Sequence, residues 1–282
     1  RKTAIVIGVI LLIGIYYYVT LPAINIHSTD TWFYIAGLIV FILVFYIIRK
    51  RMRPTEIRES KPAKAMLTVL LAVGVVYLIG SILSSPIVNA KKYQKLLKVE
   101  KGNFTEDVEE VSFDRVPLLD KDTAEILGDR KMGSMVDMVS QFEADDIYTQ
   151  INYKERPVRV TPLKYASFIK WITNQSEGIP AYIRIDMASQ NTELVKLDQG
   201  IKYSTSEYLN RNIYRHLRFS YPTAIFDELS FEIDDKGVPY WVAPVKKFNI
   251  GLFGGETVGS VVLCNAVTGE CKSYKIEDVP QW

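Results

Sequence analysis

The chain has 282 residues, 48% of them hydrophobic, and a net charge of +2. Nine Lys/Arg against three Asp/Glu give residues 1–84 a charge of +6, while 25 against 29 give the remainder −4. A mildly acidic remainder argues against a nucleic-acid binder, which needs a basic face. Two cysteines and two widely separated histidines argue against a His/Cys zinc site.

Residues 3–26 carry no charge and include the cluster Tyr16-Tyr17-Tyr18. The run is too long for a signal-peptide core and lacks a good cleavage site. Roughly 20 apolar residues span a bilayer core, so a first transmembrane helix is expected here. A second is expected over 31–48 and a third over 65–85, stopping at Ser85-Pro86 because proline removes a backbone donor. Between the last two lies the loop 49–64, with seven Lys/Arg and two Glu. Such a loop stays cytoplasmic. The N-terminus with Arg1-Lys2 is then cytoplasmic, and residues 86–282 are extracytoplasmic. Gly80 and Ser84 form a small-xxx-small pair able to seat another helix. The spans hold no ionisable side chain, which argues against a pump or transporter acting alone.

Behind the membrane domain (1–90), an amphipathic helix or stalk is expected over 90–101, followed by a first α+β segment within 91–160. Asn103-Phe104-Thr105 is a glycosylation sequon. Residues 120–127 read as a capped helix ended by Gly128, and 146–163 as a hairpin turning near Lys154-Glu155. Helices are then expected over 162–174 and 204–218, the second capped by Ser206. Paired strands follow the first helix (181–187, 193–197). After the second come strands at 228–233, 238–245, 259–266 and 270–276, with turns at Asp234–Gly237 and Val267–Gly269. A helix followed by antiparallel strands thus occurs twice, which suggests tandem α+β modules over 161–203 and 204–282.

The stretch FEIDDKGVPYWVAPV, followed by VVLCNAVTGECKSYKI, resembles a PepSY module. Thr268-Gly269-Glu270 match its hairpin pattern, and Asn265 stands where that pattern often has Asp. The likeness covers 204–276 and extends to 162–197. The chain also resembles membrane-anchored envelope proteins of Gram-positive bacteria. The resemblance implies a PepSY/cystatin-like binding module rather than a catalyst, in a setting of peptidase regulation or envelope assembly.

Cys264 and Cys271 flank the Thr-Gly turn and, paired about it, would face each other across neighbouring strands, either as a disulfide, which an extracytoplasmic compartment permits, or as a reduced pair. His216 stands alone outside the membrane part. A hydrolytic triad needs Ser204, Ser206 or Ser220 and an acid such as Asp227, and none lies in a nucleophile context. Asp145-Asp146 and Asp234-Asp235 lack calcium-loop spacing. The glycine-rich 251–259 is no phosphate loop, and Leu252, Phe253, Gly254 and Gly255 at its tip are candidate partner or membrane contacts. Trp171, Tyr182, Tyr240, Trp241 and Trp282 read mainly as core aromatics.

The expectation is therefore an α+β protein of the bacterial plasma membrane with three N-terminal spans. It acts as a non-catalytic binding or scaffold subunit of an envelope complex, with no catalytic residues, metal or cofactor. Its partners are the bilayer and an envelope protein or a second copy of itself, with no nucleic acid and the small-molecule ligand left open. A regulator or inhibitor of an envelope peptidase, and an envelope hydrolase, are the alternatives.

Overall fold

The computed structural model describes residues 2–282, with side chains from Ile7 onward, and its chain divides into two compact units. The first unit holds residues 1–99 with the short segments 221–225 and 246–257. Its helices are α1 (Lys2–Thr20), α2 (Thr29–Lys50), α3 (Pro54–Glu59), α4 (Lys61–Ser84) and α5 (Pro86–Gln94).

Among the described residues two helices, α2 and α4, are long and apolar enough to cross a membrane. Their 22 and 24 residues reach about 33–36 Å at 1.5 Å per residue, more than the roughly 30 Å hydrocarbon core. This corrects the expected three spans. The described apolar stretch of α1 is Ile7–Thr20, within a helix that begins at Lys2. Residues 3–6 of that expected span, and the charges of Arg1 and Lys2, lie outside the described side chains. Tyr16 of α1 stacks on Tyr34 of α2 with ring centres 4.9 Å apart.

The cationic loop is built from local signals. Arg51 closes α2 in the left-handed region, its cap N–H returning to Ile47 and Ile48 carbonyls. The Glu56 carboxylate accepts from Arg53 N–H at 2.9 Å and caps α3. Ser60 caps α4, whose second residue is Pro62, placed where proline's missing donor does no harm. Ser85-Pro86 ends α4 where expected.

The second unit holds 100–220, 226–245 and 258–282 and is α+β. It opens with α6 (Phe104–Asp107) and α7 (Lys121–Gly133). Asp120 caps α7 through Thr123 N–H at 2.7 Å. The helix continues through Gly128, which lies against the Tyr148 ring where a larger residue has no room.

A five-stranded antiparallel sheet follows: β1 (Phe142–Ala144) and β2 (Thr149–Tyr153) both pair with β3 (Arg156–Tyr165), then come β4 (Ile179–Asp186) and β5 (Thr192–Ile201). Lys154 and Glu155, both at positive φ, make the two-residue β2–β3 turn that matches strand twist. The division expected at 160/161 falls inside β3, so the two segments on either side share one sheet. The helix expected over 162–174 is half strand. Residues 162–165 finish β3 with Leu163 and Tyr165 buried, and α8 (Phe168–Asn174) starts only after Ser167 caps it. Pairing with β1 and β4 outweighs the helical spacing of that stretch.

The helix expected over 204–218 is likewise shorter, α9 (Ile213–Ser220). Ser206 does not cap it, but accepts a hydrogen bond from Tyr165 N–H at 3.3 Å. The second sheet has the order β6 (Ser230–Ile233), β7 (Pro239–Ile250), β8 (Gly254–Asn265), β9 (Cys271–Lys275). Ile179, Tyr182, Ile183 and Ile185 of β4 and Phe231 and Trp241 of the second sheet are among the fully buried side chains. The Phe231 ring lies edge-on to Trp241 at 5.4 Å, and Phe231 N–H donates to Thr149 Oγ1 on β2 at 3.2 Å.

Candidate functional site

Three places gather side chains whose arrangement goes beyond packing. The first lies in the helical unit, at the Thr29 end of α2 and the Ser84 end of α4. The loop 246–257 seats its tip there. Gly80 leaves room for Leu252 and Phe253: a Cβ at Gly80 would stand 2.8 Å from Leu252 Cδ1 and 3.2 Å from Phe253 Cε2. Ser84 Oγ accepts from Phe253 N–H at 3.1 Å, and Tyr93 Oη accepts from Gly255 N–H at 3.1 Å while donating to Ser84 O at 2.7 Å. The Phe253 ring sits between Trp32 and Tyr77, at 6.2 and 5.2 Å. His27 Nδ1 donates to Leu252 O at 2.7 Å, and its ring stacks on Phe248. Residues 221–225 join the same knot, since Ile24 N–H donates to Pro222 O and Asn25 Nδ2 to Thr223 O. The Gly80/Ser84 pair therefore receives a loop rather than another helix. Leu252 and Phe253 are half-buried within their own chain, and Gly254 and Gly255 are buried.

The second place surrounds α8. Glu207 is 2% exposed. Its carboxylate accepts from Tyr165 Oη at 2.8 Å and from Trp171 Nε1 at 2.7 Å. Burial pushes this carboxyl above the usual range, and the two hydrogen bonds, with the nearby Arg211 charge, oppose that shift without cancelling it. Burial and the adjacent Glu207 charge also raise the Tyr165 phenol. Tyr208 lies 4.7 Å from Trp171 and 5.1 Å from Phe168, ring to ring. Around this fixed base Phe168, Ile169, Ile172 and Leu209 are between 49% and 69% exposed. No spacing in the sequence marks Glu207, because its partners come from β3 and α8 and meet only in the fold.

The third place is the β8–β9 pair. Cys264 and Cys271 stand opposite each other in register and form a disulfide. His216 of α9 is brought beside them, with ligand-capable atoms of the three residues within 4.8 Å of one another. His216, the one histidine behind residues 1–90, thus has sulfur neighbours that its position along the chain does not reveal.

The remaining candidates separate. His216 Nε2 donates to Gly269 O at 2.7 Å rather than to a serine, and Ser204 Oγ lies 3.3 Å from Ser206 Oγ. Asp145 is buried and accepts from Thr205 Oγ1, whereas Asp146 is exposed and pairs with Lys164. Asp234 Oδ1 accepts from Lys236 and Val238 N–H inside its turn. Tyr182 and Trp241 are core, while Tyr240 and Trp282 pack on each other at 5.1 Å. A cleft of about 370 Å³ is lined by Tyr153, Arg156, Arg184, Asp186 and Glu193. Four of its charges pair internally, Arg156 with Asp186 and Arg184 with Glu193, both at 2.6 Å, and Lys154, which also lines it, lies over the Tyr153 ring. Comparison of the chain with protein-family models, with characterised proteins and with solved structures yields no match.

Proposed function

We propose that this protein is a membrane-anchored, non-catalytic binding or scaffold subunit of a bacterial envelope complex. In this reading α2 and α4 cross the plasma membrane, with the cationic loop 49–64 held in the cytoplasm. Their far ends, and residues 86–282, then lie outside. The α+β unit supplies the binding surface, as its resemblance to PepSY modules suggests.

The observation that carries the reading is the exposed aliphatic and aromatic surface of Phe168, Ile169, Ile172, Tyr208 and Leu209 over the buried Glu207–Trp171 base. Apolar side chains held on a rigid aromatic floor are the usual anatomy of a protein-binding hot spot. The sheet edges are less suited to docking. The β4–β5 ladder shifts register between Ile179 and Ala181, and β9 has only five residues. Bulged and short edges resist strand addition.

The test places a photocrosslinking side chain at Ile169 or Leu209 of the full-length protein in its native membrane. One reproducible envelope protein, or a second copy of this chain, should be captured, and Ile169→Arg with Leu209→Arg should abolish that capture. Loss of all capture above an irradiated control at an exposed polar site such as Gln199 would remove the binding reading. If the captured protein is a peptidase whose activity falls on adding this protein, the regulator reading replaces the scaffold one.

A further inference from the structure

The disulfide and its histidine are placed as chemistry rather than as packing. Cys264 is fully buried, and Cys271 is half-buried on the edge strand β9. Cys271 is therefore the more exposed residue of the pair. His216 approaches from α9, a different element, and its ring lies 4.4 Å from the Tyr203 ring. Because a carbonyl oxygen only accepts, the 2.7 Å bond to Gly269 O places the ring proton on Nε2. The same oxygen lies 3.6 Å from Cys271 Sγ. An imidazole N–H is thus held beside the sulfur pair. A cavity of about 430 Å³, lined by Asn210, His216, Phe219 and Ser220, opens on the histidine, and neither cysteine lines it. A structural cross-link between strands already joined by a tight turn and a register of five pairs needs neither the imidazole nor the opening.

We propose that Cys264, Cys271 and His216 form a thiol–disulfide exchange site whose substrate is a thiolate, carried either by a small thiol or by a cysteine of another polypeptide. The incoming thiolate attacks Sγ of Cys271. A sulfur–sulfur bond forms between them as the Cys264–Cys271 bond breaks, and its electron pair leaves on Sγ of Cys264. A buried thiolate is costly, so His216 Nε2 gives its proton to that sulfur while Nδ1 takes one from solvent. A second substrate thiolate then attacks the substrate sulfur of the mixed disulfide and releases Cys271 as a thiolate. Two substrate thiols are oxidised to one disulfide, and the Cys264–Cys271 pair takes up the two electrons.

The test uses the full-length protein in detergent, folded, with reduced glutathione as the small thiol and a single-cysteine peptide as the polypeptide thiol. Acid quenching, alkylation and mass spectrometry locate the mixed disulfide. The adduct should sit on Cys271, and whichever probe reacts faster identifies the source. His216→Phe should slow exchange by at least about tenfold. His216→Gln keeps an N–H for the Gly269 carbonyl but cannot relay a proton, and should be equally slow. The proposal is overturned if the folded protein resists both thiols while the urea-unfolded protein reacts, or if adducts form on Cys264 as readily as on Cys271. It is also overturned if His216→Gln reacts at the parent rate, which would make the histidine a brace for the turn.

Discussion

At the residue scale, two carboxylates carry opposite shifts and give opposite predictions. Asp186 ends β4 and caps the β4–β5 turn. Its Oδ1 accepts from Ala188 and Ser189 N–H, and its Oδ2 from Arg156 Nε at 2.6 Å. Burial works to raise this carboxyl, but the hydrogen bonds from Arg156, Ser189 and Ala188 outweigh it and hold it at about 2. Its folded value lies below the unfolded one, so its contribution is present above the ordinary carboxylate range and is lost as pH falls through about 2. Arg156 is half-exposed, which discounts the ion pair. Asp186→Asn should cost about 1 kcal/mol at pH 7, a deficit that denaturant titrations should show shrinking towards pH 2.

Glu207 runs the other way. Its raised folded value means that the stability it adds in the protonated form is lost as pH rises through that value. Glu207→Gln can accept from Trp171 and donate to Tyr165, so it should flatten this part of the pH–stability curve and keep Trp171 emission native. Glu207→Ala leaves two buried donors unpaired and should cost about 2–4 kcal/mol.

At the element scale, the loop 246–257 depends on small residues that no volume-conserving change can replace. Gly254 has the Ser84 carbonyl and the Tyr93 hydroxyl where its own Cβ would stand. Gly254→Ala should release the loop tip, seen as faster proteolysis within 246–257 in the full-length protein. Ser84→Ala removes only one acceptor of a backbone N–H and should cost about 1 kcal/mol with the loop still seated. Equal proteolysis of the two variants would show that the tip is held by Phe253 and its rings rather than by the close backbone approach.

At the scale of the whole molecule, the apolar helices α2 and α4 with their cationic connection dominate behaviour. The protein should remain with membranes after carbonate washing. Single cysteines placed in 49–64 of a Cys264→Ser/Cys271→Ser background should be labelled by an impermeant maleimide only after the inner face is opened, whereas one at the exposed Val136 should label in intact cells. Labelling at both positions in intact cells would refute the orientation.

Much of this was legible in the sequence because it depends on neighbours along the chain. Charge-free runs, the cationic loop, the Ser85-Pro86 stop, the Asp120 cap and the turns at Lys154-Glu155 and Asp234–Gly237 are local effects of solvation and backbone sterics. The lengths of α8 and α9 were not legible. Strand pairing by β1 and β4 claimed residues 162–165, and Ser206 turned from capping a helix to serving β3. Nor could spacing bring Glu207 under Trp171, seat Phe253 between Trp32 and Tyr77, or carry His216 to Cys264 and Cys271. Each joins residues far apart in the chain, and such contacts form only where sheet register and burial have already fixed the backbone. Sequence by itself determined that two long apolar helices flank a cationic loop and that an α+β part follows. Only the tertiary structure decided which side chains meet.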